Sequence, residues 1–172
     1  MAASDITLRD GRSVHVRGLR VADEAEFMQA FQRLSSHARY MRFMRAVSEP
    51  DPERLRAKLA SFPESGIGIV ATVPAADGID IVASAIAVFT GDRASCEFAI
   101  TVASEFGGVG LATAMMTTLI DEARRRGLKE MEGFVLTQNQ PMLRLARRLG
   151  FSIKSERDDP TVRVCRMTLD PP

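Results

Sequence analysis

Between an apolar run at residues 96–102 and an amphipathic run at residues 110–126 stands Ala103-Ser104-Glu105-Phe106-Gly107-Gly108-Val109-Gly110. A strand, a glycine-rich loop and a long helix in that order constrain the fold more than any other part of the chain. Along the helical run Leu111, Met115, Leu119 and Ala123 recur every four residues, with Ala112, Met116 and Ile120 alongside, so one face needs burial. Arg124, Arg125 and Arg126 sit at its C-terminal end, where the helix dipole favours cations, and Gly127 is a natural terminator. Residues 131–136 then read as a strand. The strand–loop–helix–strand unit calls for a sheet with this helix packed across one face.

The segments before and after it supply the rest of that sheet. Residues 6–9 and 13–19 flank Asp10-Gly11 as a hairpin, with Val14, Val16 and Gly18 alternating with the polar His15 and Arg17. Asp23 is placed to cap a helix over 24–34, on which Phe27, Phe31 and Leu34 share a face. Ser35 or Ser36 caps a second helix at 37–44, Pro50 and Pro52 interrupt, and a third runs over 53–62. Strands follow at 67–73 and 79–89, joined as a hairpin, then a turn at Gly91-Asp92 and the strand over 96–102. A helix over 141–149 closes at Gly150, and strands at 151–155 and 161–169 end the chain. This order predicts an α+β, mixed α/β fold in one domain spanning residues 1–172, a length that buries a core without covalent staples.

Composition removes several function classes. Lys plus Arg number 23 and Asp plus Glu 22, a net charge of +1, so no basic excess marks a sequence-independent nucleic-acid binder. No apolar run approaches a membrane span, and Met1-Ala2-Ala3-Ser4-Asp5 lacks the pattern of a secretory signal, so no membrane partner is expected. Cys96 and Cys165 form no C-x-x-C pair and His15 and His37 stand far apart, so no metal site is expected. Two unpaired thiols suit a reduced, cytoplasmic protein.

Glycines at a helix entrance let main-chain N–H groups approach an anion with no Cβ in the way, and the helix start adds positive partial charge. The three arginines lie at the other end of that helix, so such a cradle is mostly main chain. A phosphate loop of the Walker type needs Gly-Lys-Ser/Thr, whereas Gly110 is followed by Leu111. A dinucleotide fingerprint is met at Gly108 and Gly110 but has Thr113 in its third place, with Glu132 as a ribose partner about twenty residues on. The third anion is the diphosphate of coenzyme A.

The stretch from Glu97 to Ala112 resembles the acyl-CoA-binding motif of the GNAT acetyltransferase superfamily, Q/R-x-x-G-x-G/A. Gly110 and Ala112 match its last two defined places, and Gly107 stands at the first, where Gln or Arg is usual. Asn139 followed by a helix ending Leu149-Gly150-Phe151 resembles the second signature of that superfamily. Leu8-Arg9-Asp10-Gly11, Val16-Arg17 and Arg39-Tyr40-Met41-Arg42-Phe43 are similar to the GNAT domain of bacterial protein-lysine acetyltransferases.

The resemblance implies a central mixed, mostly antiparallel sheet of about seven strands, flanked by helices and splayed between the fourth and fifth. It also implies that acetyl-CoA is the co-substrate, its pantetheine arm lying in that cleft. Main-chain groups of Ile100, Thr101 and Val102 would bond the arm and polarise the thioester. Gly107, Gly108, Val109, Gly110, Leu111, Ala112 and Thr113 would hold the diphosphate, while Asn139 and Met142 flank the arm opposite. A homodimer is common in this fold.

Acetyl transfer needs a neutral amine, hence a base. Glu97 is the candidate: it lies between Cys96 and Phe98 in an apolar strand, where burial would raise its pKa towards neutrality, and the family often has a catalytic glutamate there. The tyrosine that many relatives use as general acid is replaced by Ala146, and Tyr40 is the only tyrosine, so water is the expected proton source. Cys96 reads as a small core residue rather than an acyl carrier. The expected function is N-acetyl transfer to an amine, either a protein lysine or a small molecule, by direct attack. The alternatives are a non-catalytic acyl-CoA-binding module and, from the loop glycines, a dinucleotide-binding domain.

Overall fold

The computed structural model describes residues 2–45, 51–91 and 93–169. The expected interruption at Pro50 and turn residue Asp92 lie outside them. In chain order the elements are β1 (Ser4–Thr7), β2 (Ser13–Gly18), α1 (Glu24–Arg33), α2 (Ser36–Phe43), α3 (Pro52–Ser61), β3 (Gly66–Ala75), β4 (Gly78–Phe89), β5 (Ser95–Val102), α4 (Leu111–Arg125), β6 (Glu130–Leu136), α5 (Gln140–Leu149), β7 (Ser152–Ser155) and β8 (Val162–Thr168). The strands form one sheet ordered β1-β2-β3-β4-β5-β6-β8-β7. All neighbours are antiparallel except β5 and β6, which run parallel across the α4 crossover.

The expected mixed, mostly antiparallel sheet is therefore present, with eight strands rather than about seven. The short β1 at one edge shifts the numbering, so the parting expected between the fourth and fifth strands falls between β5 and β6.

Helix α4 crosses one face of β3, β4 and β5. Its Leu111, Met115, Met116 and Leu119 are fully buried, as the four-residue recurrence requires. Opposite them β4 presents Ala83, Ala85 and Ala87, whose small side chains admit a helix at close range. Helices α1 and α2 cover the other face, α1 over β4 and α2 over β5.

Two sequence expectations change here. Arg17, expected on a polar strand face, is buried and forms a two-pronged ion pair with Asp23, at 2.9 and 2.7 Å. The Asp23 carboxylate therefore makes no side-chain cap on α1, because it is committed to Arg17 and to the amide of Arg20. Burial raises the Asp23 carboxyl, but these hydrogen bonds outweigh it and hold the group below the usual aspartate range.

Candidate functional site

The parallel pairing of β5 and β6 is brief. Ser95, Cys96 and Glu97 face Glu130, Met131 and Glu132, and beyond them the strands part. On its other side β5 stays bonded to β4 as far as Val102. The amide of Ala103 donates to Val82 O, and antiparallel alternation then turns Phe98, Ile100 and Val102 away from β4. The main-chain groups of Ile100 and Val102 look into the parting with no strand to pair them. At its apex the Phe98 ring lies where a Cβ on Gly133 would sit, and it packs on Phe151 at 5.2 Å between centroids. The Phe98 ring thus lies across the sheet face over Gly133, which has no side chain to obstruct it.

At the other end of the parting α4 begins. Gly108 and Gly110 adopt φ of +72° and +95°, backbone that side chains resist, and this aims the loop amides outward. Gly110 is the N-cap and supplies no side-chain acceptor, and no acidic residue stands in the first turn. The first N–H groups of a buried-face helix are thus left for an external acceptor.

Sequence reasoning missed what holds this loop. The turn after β1 folds over it: the Arg9 guanidinium donates to Gly108 O at 3.0 Å, and the Arg9 amide to Val109 O at 3.1 Å. Arg12 donates to Glu105 O at 2.7 Å and stacks on Phe106, 4.0 Å from the ring centroid. The only signal in the sequence was the arginine pair around Asp10-Gly11. Nothing local linked it to a loop about a hundred residues away.

Between these features lies a cavity of about 620 Å³. Of the expected residues, Glu97, Ile100, Thr101, Val102, Gly107, Gly108, Gly110, Ala112, Thr113, Asn139 and Met142 line it. Two do not. Leu111 is fully buried in the core, and Val109 packs against that core with its carbonyl taken by Arg9. Asn139 caps α5, its Oδ1 accepting from the Met142 amide at 3.3 Å, which leaves its Nδ2 donor pair for the cavity.

Glu97 requires a correction. It is exposed, on the face of β5 covered by α2, because strand alternation puts Cys96 and Phe98 inward and Glu97 outward. The expected burial is absent, so its case as a base rests on position alone. Arg42 of α2 is half-buried, lines the same cavity and feels the Glu97 charge. Burial pushes its pKa down from the ordinary arginine value while Glu97 opposes this. An arginine so shifted stays protonated near neutrality. Among the described residues Arg9, Arg42, Arg144 and Arg148 line the cavity against one carboxylate, Glu97, so a nearly neutral chain presents a basic cleft.

Ala146 is fully buried, and Tyr40 is exposed and outside the cavity lining, so neither brings a hydroxyl to it. Burial pushes the Cys96 thiol up to about 12, and that of Cys165 up to about 11 against a small opposing effect of Arg147. Neither is a nucleophile near neutral pH.

Comparison with known proteins gives a consistent result. The acetyltransferase (GNAT) domain profile matches residues 14–152. Acetyltransferase PA5475 of Pseudomonas aeruginosa is 31% identical over 163 residues, covering 95% of this chain and 88% of that protein. Among solved structures, the GNAT domain of S. lividans PAT superposes with a TM-score of 0.87 at 22% identity over 97% of each chain. The protein yncA from Salmonella typhimurium, solved with its cofactor acetyl-CoA, gives 0.69 at 22% identity over 91% of this chain and 94% of that one.

Proposed function

The chain belongs to the GNAT acetyltransferase family, and from that premise we propose that it transfers acetyl from acetyl-CoA to an amine by direct attack in a ternary complex. The observation that carries this reading is the open edge of β5 running towards the uncapped start of α4. A pantetheine arm is an extended chain of amides, and an unpaired strand edge is what such a chain pairs with.

On this reading Ile100 and Val102 bond the arm, and a β5 amide draws on the thioester oxygen as charge develops there. The amides of residues 108–113 hold the diphosphate, which the helix start stabilises. Arg9 lies beside them and supplies the cation that the motif usually places where Gly107 stands. The Nδ2 of Asn139 reaches the arm from the β6 side.

The amine nitrogen attacks the carbonyl carbon, the C–S bond breaks, and acetyl passes to nitrogen. Glu97 takes the amine proton through water from its exposed position beside Arg42. The departing thiolate takes a proton from solvent, since Ala146 and Tyr40 offer none. The two inert thiols favour this single displacement over an acyl-cysteine. The acceptor is an amine, a protein lysine or a small molecule, and the chain acts as one acyltransferase domain in the cytoplasm, with a homodimer as its assembly.

Free-thiol release from acetyl-CoA with an amine panel tests the reaction, and calorimetry tests acetyl-CoA binding separately. Glu97→Gln is expected to lower kcat about 10²-fold with acetyl-CoA affinity unchanged. Unchanged turnover removes Glu97 from the mechanism.

A further inference from the structure

We infer that the amine acceptor also carries an anionic group, bound by Arg42, and an apolar body that enters a second cavity behind that residue. The inference rests on the acyl-transfer reading and names the substrate class of the same site.

The second cavity, about 700 Å³, lies between helices α1–α3 and the face of β4 and β5 that carries Glu97. Its floor is apolar, built by Phe27, Phe31, Leu55, Phe62 and Ile86 among others. Leu34, Ala38, Arg42, Thr101 and Val102 line both this cavity and the first. The two therefore meet at α2, and Arg42 stands at the junction.

Arg42 differs from Arg33 and Arg39, the arginines nearest it on α1 and α2. Arg33 is paired to Asp80 at 2.6 Å, and Arg39 donates to Gln32 O while lying over the Phe31 ring. The Arg42 guanidinium sits 4.9 Å from the Phe43 ring centroid, and among the described residues it makes no hydrogen bond or ion pair. Glu97 is the carboxylate whose charge acts on it, with no ion pair between the two. A half-buried fork of five N–H donors at the junction of two cavities, left unmatched by its own fold, is complementary to a carboxylate.

Geometry orders the acceptor's groups. The amine must lie next to Glu97 and the thioester, hence on the first-cavity side. The anion meets Arg42 at the junction. The remaining body has the apolar second cavity to fill. An amine, a carboxylate and an apolar side chain within a few bonds describe a hydrophobic amino acid. A lysine residue within a polypeptide carries no anion of its own beside its ε-amine.

The test compares kcat/KM for L-leucine and L-phenylalanine with their amides, 3-methylbutylamine and a lysine-containing peptide, using acetyl-CoA as donor. The acids are expected to exceed the amides and 3-methylbutylamine by about tenfold or more, the discrimination of a charge-assisted contact. Arg42→Gln is expected to bring acid and amide within about twofold while acetyl-CoA affinity holds, and Arg42→Lys to restore part of the preference. Thermal melting of both variants checks that they fold, and if Arg42→Gln does not, Arg42→Lys alone must narrow the acid preference. Amides as good as acids, a preference that survives Arg42→Gln, turnover of the peptide alone, or acetyl-CoA binding without turnover of either amino acid each overturn the inference. Failure of the wild-type protein to bind acetyl-CoA instead overturns the acyl-transfer reading beneath it.

Discussion

Arg9 and Gly107 are best considered together, because one supplies what the other lacks. A glycine at the first motif place removes a side chain from the loop, and the hairpin arginine returns a guanidinium to the same cavity wall. Arg9→Ala is expected to raise KM for acetyl-CoA about five- to tenfold, and to leave KM for S-acetylpantetheine, which has no diphosphate, unchanged. Steady-state kinetics with both donors checks this. The Arg17–Asp23 pair makes a different prediction. Removing one partner strands a buried charge, so Asp23→Ala is expected to destabilise the fold by about 3–5 kcal/mol in urea unfolding. The Asp23 carboxyl titrates lower when folded than in the unfolded chain. Its stabilising contribution is therefore whole above the unfolded value of about 3.9 and is lost as pH falls through the folded one. Melting temperature against pH is expected to show an acid limb that Asp23→Ala flattens. Neither feature was legible in the sequence. Arg17 stood at an alternating position that reads as solvent-facing, and the partner that buries it arrives from a helix start. Glu97 failed in the opposite sense: its apolar neighbours suggested burial, whereas alternation along β5 turns it outward.

At the scale of elements the sequence was more informative. The four-residue recurrence in α4, the glycine at its entrance and the Gly127 and Gly150 terminators located two helices to within a residue or two. Each signal is local, set by periodicity or by backbone that only glycine tolerates. The parting of β5 from β6 had no local signal, and it entered only through the family resemblance. Where the pairing ends, the Phe98 ring of one strand lies over Gly133 of the other. Gly133→Ala places a methyl inside that ring. The substitution is expected to destabilise the fold by about 1–3 kcal/mol, as overpacking does, and to weaken acetyl-CoA binding because the Phe98 ring, which lines the cavity, must move. Denaturant unfolding and calorimetry read the two effects separately. If Gly133→Ala leaves both unchanged, Phe98 does not set the width of the cleft.

Over the whole molecule, one continuous sheet is bonded on both sides of a single gap. Strands β1 to β5 form one wing and β6 to β8 the other, with α4 leading from one wing to the other. The gap is where a ligand gains main-chain hydrogen bonds without breaking any in the protein. Charge is arranged to match: a chain of net charge +1 gathers four arginines around that gap. Such a cleft draws in a polyanionic carrier, and its association rate is expected to fall as salt rises. The central claim is that main-chain groups of β5 and of the α4 entrance hold coenzyme A. A crystal structure of the CoA complex tests this most directly. The account predicts the diphosphate on the amides of residues 108–113 and the pantetheine arm paired along Ile100 and Val102. Density for the ligand anywhere else, with that edge of β5 left bare, contradicts it.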